Sequence, residues 1–472
     1  MGTSTRGARA RRALAVLTGL AVVSAGGAQA ATLVDWPAYL NGVQHRSATA
    51  ADTVTTTNVA TLHRVWHFKP AAVTGRPPPQ VFASPVVVAG RVYIGFNNGS
   101  FYALDLATGA KLWERFLGFV PHLTCTARGF TSTATVTPDP VTGLRTVYVN
   151  AGDGYLYALN AATGATVWRS QVAPNSTTVN GYYNWTSPAV ANGKIYVGLS
   201  SECDNPFTRG GVKAFDQHTG ALVATHWTVA AGNVGGGVWS SVGVGANGEA
   251  YATTGSTTPP PYPQGESYSL LQLNGSTLAE DGIYTIPATD LGHDSDFGAS
   301  PTLFSATIGG VSTQLVSACN KNGRLYAWRA ANVSAGPVWQ AKINTAKVGP
   351  CFASAIYDGS ALYQAGNTTV LNGVSYRGSL SKINPATGAF VWRTGLPGSV
   401  FGTPSLNGAG VIAVSTFDDL SSQNGTYFID KTTGAVLGHI SVSNAKQFAQ
   451  PTFADKYLLL GQINQGINAY VP

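Results

Sequence analysis

Asp105-Leu-Ala-Thr-Gly109 recurs along the chain as Asn160-Ala-Ala-Thr-Gly164, Asp216-Gln-His-Thr-Gly220, Asn384-Pro-Ala-Thr-Gly388 and Asp430-Lys-Thr-Thr-Gly434. The closing glycines lie 55, 56, 168 and 46 residues apart. The long gap is three times 56, so two worn copies are expected inside it. Self-similarity at this period marks a solenoid, a propeller or an array. Around each copy the order is constant. A Ser-Pro element such as Ser84-Pro85 precedes an alternating apolar run, Arg91-Val-Tyr-Ile-Gly95. An Asn98-Gly99 turn then leads into Ser100-Phe-Tyr-Ala-Leu-Asp105. Beyond the Thr-Gly turn comes a short strand carrying tryptophan, Lys111-Leu-Trp-Glu-Arg115. Asn-Gly between alternating runs is a hairpin signal. Four short strands per repeat with glycine and aromatic punctuation predict a β-propeller blade.

The blade starts can be counted separately. They fall near Ser84-Pro85, Ser132-Thr133, Ser187-Pro188, Ser240-Ser241, Ser300-Pro301, Ser354-Ala355, Thr403-Pro404 and Gln450-Pro451, which makes eight. The eighth is followed only by Lys456-Tyr-Leu-Leu-Leu460 and Gly466-Ile-Asn-Ala-Tyr470, so its outer strand is missing. His63-Arg-Val-Trp-His67 reads like the outer strands Ala165-Thr-Val-Trp-Arg169, Pro337-Val-Trp-Gln340 and Phe390-Val-Trp-Arg393. It is expected to pair into the last blade and close an all-β, eight-bladed ring, which removes the open sheet edge. Trp66, Trp113, Trp168, Trp339 and Trp392 then read as blade-to-blade packing.

Length alone would suggest more than one domain for 472 residues, but the repeats argue for one ring over 31–472. Residues 1–30 read as a secretory signal. Arg6, Arg9, Arg11 and Arg12 form its basic start, Ala13–Val23 its apolar stretch and Ala28-Gln-Ala30 its cleavage site. Arg11-Arg12 fits a twin-arginine signal poorly. The mature protein is expected to be secreted or periplasmic. Removing the four arginines takes the formal charge from +7 to about +3, which gives no support for nucleic-acid binding. No later segment is apolar enough to span a membrane. The cysteines are Cys125, Cys203, Cys319 and Cys351. Three pairings are open; Cys125–Cys203 with Cys319–Cys351 is favoured, since each pair spans neighbouring blades. The absence of Cys-x-x-Cys-His excludes covalent haem, and the spacing does not suggest zinc.

The blade grammar resembles the pyrroloquinoline quinone (PQQ) repeat family over the whole mature chain. That family includes PQQ-dependent alcohol dehydrogenases, polyvinyl-alcohol dehydrogenases and non-catalytic scaffolds of the outer-membrane assembly type. The repeat therefore implies a fold and leaves the activity to the site.

Several segments resemble the enzyme branch. Cys125-Thr-Ala-Arg-Gly129 is similar to a stretch in which a vicinal cysteine pair precedes an arginine that binds a cofactor carboxylate; the matching residue is Arg128. Only one cysteine of that pair remains. Ser200-Ser-Glu-Cys203 resembles the segment whose glutamate binds the metal, here Glu202. Such a carboxylate is the natural anchor for a hard cation such as calcium. Gly237-Val-Trp-Ser-Ser241 places Trp239 where relatives stack a tryptophan flat on the quinone. In Tyr251-Ala-Thr-Thr-Gly-Ser256, Ser256 replaces the family's asparagine ligand, a departure that weakens the metal site.

Gly292-His-Asp-Ser-Asp-Phe-Gly-Ala-Ser-Pro301 is the most specific match. By resemblance Asp294 is the catalytic base, taking the hydroxyl proton while hydride moves to the quinone. Asp296 matches the extra carboxylate of lanthanide-using relatives. If the segment is extended, the two aspartates share a side and could share a cation, or one could be held protonated. Cys319-Asn-Lys-Asn-Gly-Arg324 then resembles the turn whose cation contacts a quinone oxygen, here Lys321. In a propeller these positions converge on one mouth of the channel.

The resemblance implies an exported dehydrogenase that binds PQQ with calcium or a lanthanide and oxidises a small or polymeric alcohol. With no haem motif, it would pass electrons to a separate acceptor. The alternatives are a non-catalytic propeller that binds a protein, glycan or surface polymer, and a chain that binds metal without quinone. Proline-rich Thr257–Ser269 is the one long insertion, expected to rim the channel.

Overall fold

The computed structural model describes residues 1–4, 33–120, 125–126, 128–174, 181–257, 264–292, 294–345, 351–442 and 445–472. The apolar stretch and cleavage site of the expected signal lie outside the described residues, as do residues 258–263 of the insertion. The chain divides into Met1–Thr32 and a body, Leu33–Pro472. The body consists of eight antiparallel sheets. Seven run in sequence order from innermost to outer strand, so each is a meander of the kind the Asn-Gly and Thr-Gly turns predict. The innermost strands begin at Val86, Thr135, Ala189, Gly243, Thr302, Ile356, Ser405 and Thr452, each within a few residues of a counted start.

The eighth blade is closed by the other end of the body. Strand His63–Phe68 pairs antiparallel with Gly466–Val471, setting Trp66 opposite Ala469. The outer-strand tryptophans fasten one blade to the next. The Trp66 indole N–H donates to the Leu106 carbonyl (2.8 Å), Trp113 to Ala161 (3.1 Å), Trp339 to Pro385 (2.9 Å) and Trp392 to Lys431 (3.3 Å). Each ring lies on the Thr-Gly turn of the following blade. A Cβ at Gly388, whose φ is +74°, would stand 2.6 Å from the Trp339 ring. The turn therefore demands glycine twice, for its backbone and for the ring above it.

Two further layers line the channel. The first is a belt of hydroxyls. The Ser84 amide donates to Thr133 Oγ1, Thr133 to Ser187, Ser187 to Ser241, Ser241 to Ser300, Ser300 to Ser354 and Ser354 to Thr403, all at 2.9–3.0 Å. The Gln450 amide N–H returns the chain of bonds to Ser84 Oγ (2.9 Å). Where Gln450 replaces a hydroxyl, its side-chain amide donates to Ser47 Oγ and the Pro404 carbonyl, and accepts from the Leu40 amide.

The second layer is the segment 34–47, which winds across the inner strands. Its backbone bonds in turn to Asp455 of blade 8, Val87 of blade 1, Val136 of blade 2, Val244 of blade 4, Leu303 of blade 5, Tyr357 of blade 6 and Leu406 of blade 7. His45 is buried within it and Tyr39 half-buried, and the His45 Nδ1–H donates to the Pro301 carbonyl at 2.8 Å. Burial holds the His45 pKa down at about 4. This non-repetitive segment plugs the channel beneath the belt.

Candidate active site

The position two residues before each belt residue, just ahead of the innermost strand, also faces the channel. In chain order it carries Phe82, Thr131, Trp185, Trp239, Gly298, Phe352, Phe401 and Phe448, and all eight line one cavity above the belt. Six aromatic residues thus form a collar. Trp239 meets Phe352 edge-on at 5.9 Å, and Phe352 meets Phe401 at 5.0 Å. Gly298 lets the first contact form, because a Cβ there would lie 2.5 Å from Phe352 and 2.6 Å from Trp239.

Beside the collar lies a second cavity of about 180 Å³. Its wall includes Trp185, Glu202, Trp239, Ser256, Asp296 and Lys321. Five residues picked out from the sequence therefore meet on one wall: Glu202, Trp239, Ser256, Asp296 and Lys321. The other two bond to members of that wall. Arg128 Nε donates to Glu202 Oε1 at 3.0 Å, and its guanidinium lies 5.2 Å from the Trp185 ring. Asp294 Oδ1 lies 2.7 Å from Lys321 Nζ.

Local structure explains each placement. Glu202 follows the eight-residue strand Lys194–Ser201, which carries it to the channel mouth. Arg128 is held by a two-way backbone bridge to Val120. Lys321 opens the turn between strands Val311–Asn320 and Arg324–Arg329, and its amide donates to the Asp296 carbonyl at 3.0 Å. Asp294 has φ +57°, so the segment is not extended at that residue; aspartate tolerates this region better than most side chains. The two aspartates nevertheless share a cation, namely the Lys321 ammonium, which also lies 2.5 Å from Asp296 Oδ1. Their exposures differ sharply: the Asp294 side chain is 59% exposed and that of Asp296 4%.

Charge in this pocket is desolvated and internally paired. Burial pushes the Glu202 carboxyl up to about 7, against the opposing pull of Arg128. Burial likewise raises Asp296, while Lys321 and the Trp239 indole N–H, 3.0 Å from Oδ2, favour its charged form. For Lys321, burial works against the ammonium, but Asp296 and Asp294 outweigh it and the net shift is upward. The Ser200 and Thr208 hydroxyls on the same wall are buried and have no hydrogen-bond partner among the described residues.

These donors are all oxygens, which suits a hard cation. Glu202, Ser256 and Asp296 share the cavity, and its unsatisfied hydroxyls fit a polar guest. Among the described residues, no three histidine, cysteine or acidic side chains already cluster at metal-binding distance. Both pairs of cysteines favoured from sequence are joined, Cys125–Cys203 and Cys319–Cys351. The collar residues other than Trp239 were missed, although an aromatic residue two places before a Ser/Thr/Gln start was a visible repeat.

A family model described as the β-propeller domain of glucose, ethanol and alcohol dehydrogenases, named for PQQ, matches residues 36–344. The chain belongs to this PQQ propeller family. A second model, described as outer membrane protein assembly factor BamB, matches 321–467. A quinohemoprotein alcohol dehydrogenase of Comamonas testosteroni is 30% identical over 197 residues, 41% of this chain and 25% of that protein. The dehydrogenase subunit of a quinone alcohol dehydrogenase of Gluconobacter oxydans is 29% identical over 41% of this chain and 25% of its own length. The PQQ propeller thus matches over about a quarter of the length of these curated relatives. A europium-containing methanol dehydrogenase superposes with TM-score 0.71 at 16% identity, covering 93% of this chain and 98% of the other. That likeness confirms the eight-bladed fold. The chain is a quinoprotein-dehydrogenase-like propeller. Among the described residues, no helix is long and apolar enough to cross a membrane.

Proposed function

We propose that this protein is an exported, PQQ-binding dehydrogenase that oxidises an alcohol. The observation that carries the reading is the convergence of Glu202, Trp239, Asp296 and Lys321 on one cavity. When bound, PQQ accepts the hydride of the alcohol carbon. Trp239 offers a flat indole face for the cofactor ring, and its edge contact with Phe352 fixes its orientation. Arg128 offers a planar fork to a carboxylate of the cofactor. Lys321 places positive charge where the reduced cofactor would gain negative charge. Glu202, Ser256 and Asp296 would hold the calcium or lanthanide ion. Asp294, exposed at the mouth and held by Lys321, would take the hydroxyl proton of the substrate.

In this reading residues 1–30 are removed on export, the ring spans 31–472, and electrons leave to a separate acceptor. A second reading, a propeller that binds a protein, glycan or surface polymer without catalysis, draws on Ser256 in place of an amide ligand and on the BamB-like match over 321–467. Titration of the purified protein with PQQ, in calcium and then in a lanthanide, separates the two. Stoichiometric, metal-dependent binding followed by dye-linked alcohol oxidation supports the dehydrogenase. Absence of binding with either ion supports the second reading.

A further inference from the structure

Every cysteine in the chain lies within three residues of a side chain in or beside the cavity. Cys125 is three residues before Arg128, and Cys203 follows Glu202. Cys319 is two residues before Lys321, and Cys351 precedes Phe352. The disulfides join these segments in matching pairs. Cys125–Cys203 links the two segments that meet through the Arg128–Glu202 ion pair at 3.0 Å. Cys319–Cys351 links the two that meet through Lys321 Nζ and the Phe352 ring, 5.4 Å apart.

The crosslinks are not where the ring lacks fasteners. They span the seams between blades 2 and 3 and between blades 5 and 6. Both seams already carry a tryptophan docked on a Thr-Gly turn, Trp168 on Gly220 and Trp339 on Gly388, and both belong to the hydroxyl belt. The seams between blades 3 and 4, 4 and 5, and 7 and 8 carry neither a disulfide nor a tryptophan of that kind among the described residues. Ring closure therefore does not account for the placement of the cysteines.

We propose that the two disulfides are positioning crosslinks for the cavity. The first holds Arg128 against Glu202, and the second holds Lys321 and Phe352 in register across the seam. A guanidinium side chain has many conformations to lose on binding, and a covalent tie three residues away restricts in advance the backbone that carries it. The positioning stands on the geometry alone; its consequence for PQQ rests on the function proposed above. Cys203 is exposed and Cys125 half-buried, whereas Cys319 and Cys351 are buried, so a reductant reaches the first crosslink before the second.

The test uses Cys125→Ser/Cys203→Ser and Cys319→Ser/Cys351→Ser, each compared with the native protein. Arg128 is labelled with an arginine-selective dicarbonyl and Lys321 with an acylating reagent, and peptide mass spectrometry reads the rates. Arg128 labelling is expected to rise about tenfold or more in the first variant alone, and Lys321 labelling in the second alone, with far-ultraviolet circular dichroism unchanged. Unchanged labelling in folded variants overturns the proposal. If a variant does not fold, the native protein is titrated with a phosphine reductant instead. Arg128 labelling that rises before the dichroism signal falls supports the positioning role, and labelling that rises only with unfolding overturns it. PQQ titration of the same samples then reads the consequence: affinity is expected to fall about 10- to 100-fold without the first crosslink. If the native protein does not bind PQQ, the functional reading fails while the labelling still decides the inference.

Discussion

The Lys321 ammonium lies 2.5 Å from Asp296 Oδ1, and both side chains are almost wholly buried. An ion pair so placed is costly to break from one side. Lys321→Met should destabilise the fold by about 3–5 kcal/mol, because Asp296 keeps its desolvated carboxylate and loses its cation. The double variant Lys321→Met/Asp296→Asn should recover part of that loss. Urea unfolding of Lys321→Met, Asp296→Asn and the double variant measures it; a double-variant loss equal to the sum of the two single losses would show that the pair is not energetically coupled.

Trp239 has two functions that substitution can separate. Trp239→Phe keeps an aromatic face and loses the indole N–H given to Asp296. Trp239→Ala loses both. In equilibrium titrations PQQ affinity should fall about tenfold for the alanine variant and less for phenylalanine. An alanine variant that binds as tightly as the native protein would remove Trp239 from the cofactor site.

Asp294→Asn tests the proposed base without disturbing the core, since Asp294 is largely exposed. PQQ-dependent alcohol oxidation should be lost while the melting temperature shifts little. Retained turnover would move the proton-accepting role to another group.

His45 makes the plug sensitive to acid. Its folded pKa, about 4, lies below the ordinary 6.5, so between these values the unfolded chain binds more protons than the folded one. Its contribution is therefore complete above about pH 6.5 and is lost as pH falls toward 4. The loss is of order 3 kcal/mol. His45→Gln should flatten this part of the stability profile, measured as chemical unfolding from neutral to acid pH.

Gly388→Ala places a methyl group against the Trp339 ring on a left-handed backbone. It should cost about 1–3 kcal/mol. The same change at Gly359, which has positive φ and open space around it, should cost less. Thermal melts of the two variants separate the packing contribution from the backbone one.

Much of this architecture can be read from the chain because the repeat recurs with its physics intact. The Asn-Gly and Thr-Gly turns, the docking tryptophans and the strand around Trp66 each follow from local chemistry, and the Thr-Gly turn with its docked tryptophan recurs at five of the eight seams. The cavity was legible more coarsely, as a convergence of residues. What Arg128 and Lys321 pair with depends on contacts between blades, and sequence spacing does not fix these. The Asp294 backbone conformation was likewise hidden, because extension was the default reading of Asp294 and Asp296. The plug at 34–47 escaped because it crosses seven blades once and repeats nothing.

The pairing of His63–Phe68 with Gly466–Val471 also sets an order of events during synthesis. The strand that completes the last blade precedes its partner by about 400 residues, so this pairing closes a long loop of chain. Blades 1 to 7 can each form as their own hairpins emerge from the ribosome. The Trp66 strand stays unpaired until its partner, about 400 residues later, is in place, so ring closure follows the making of the blades between them.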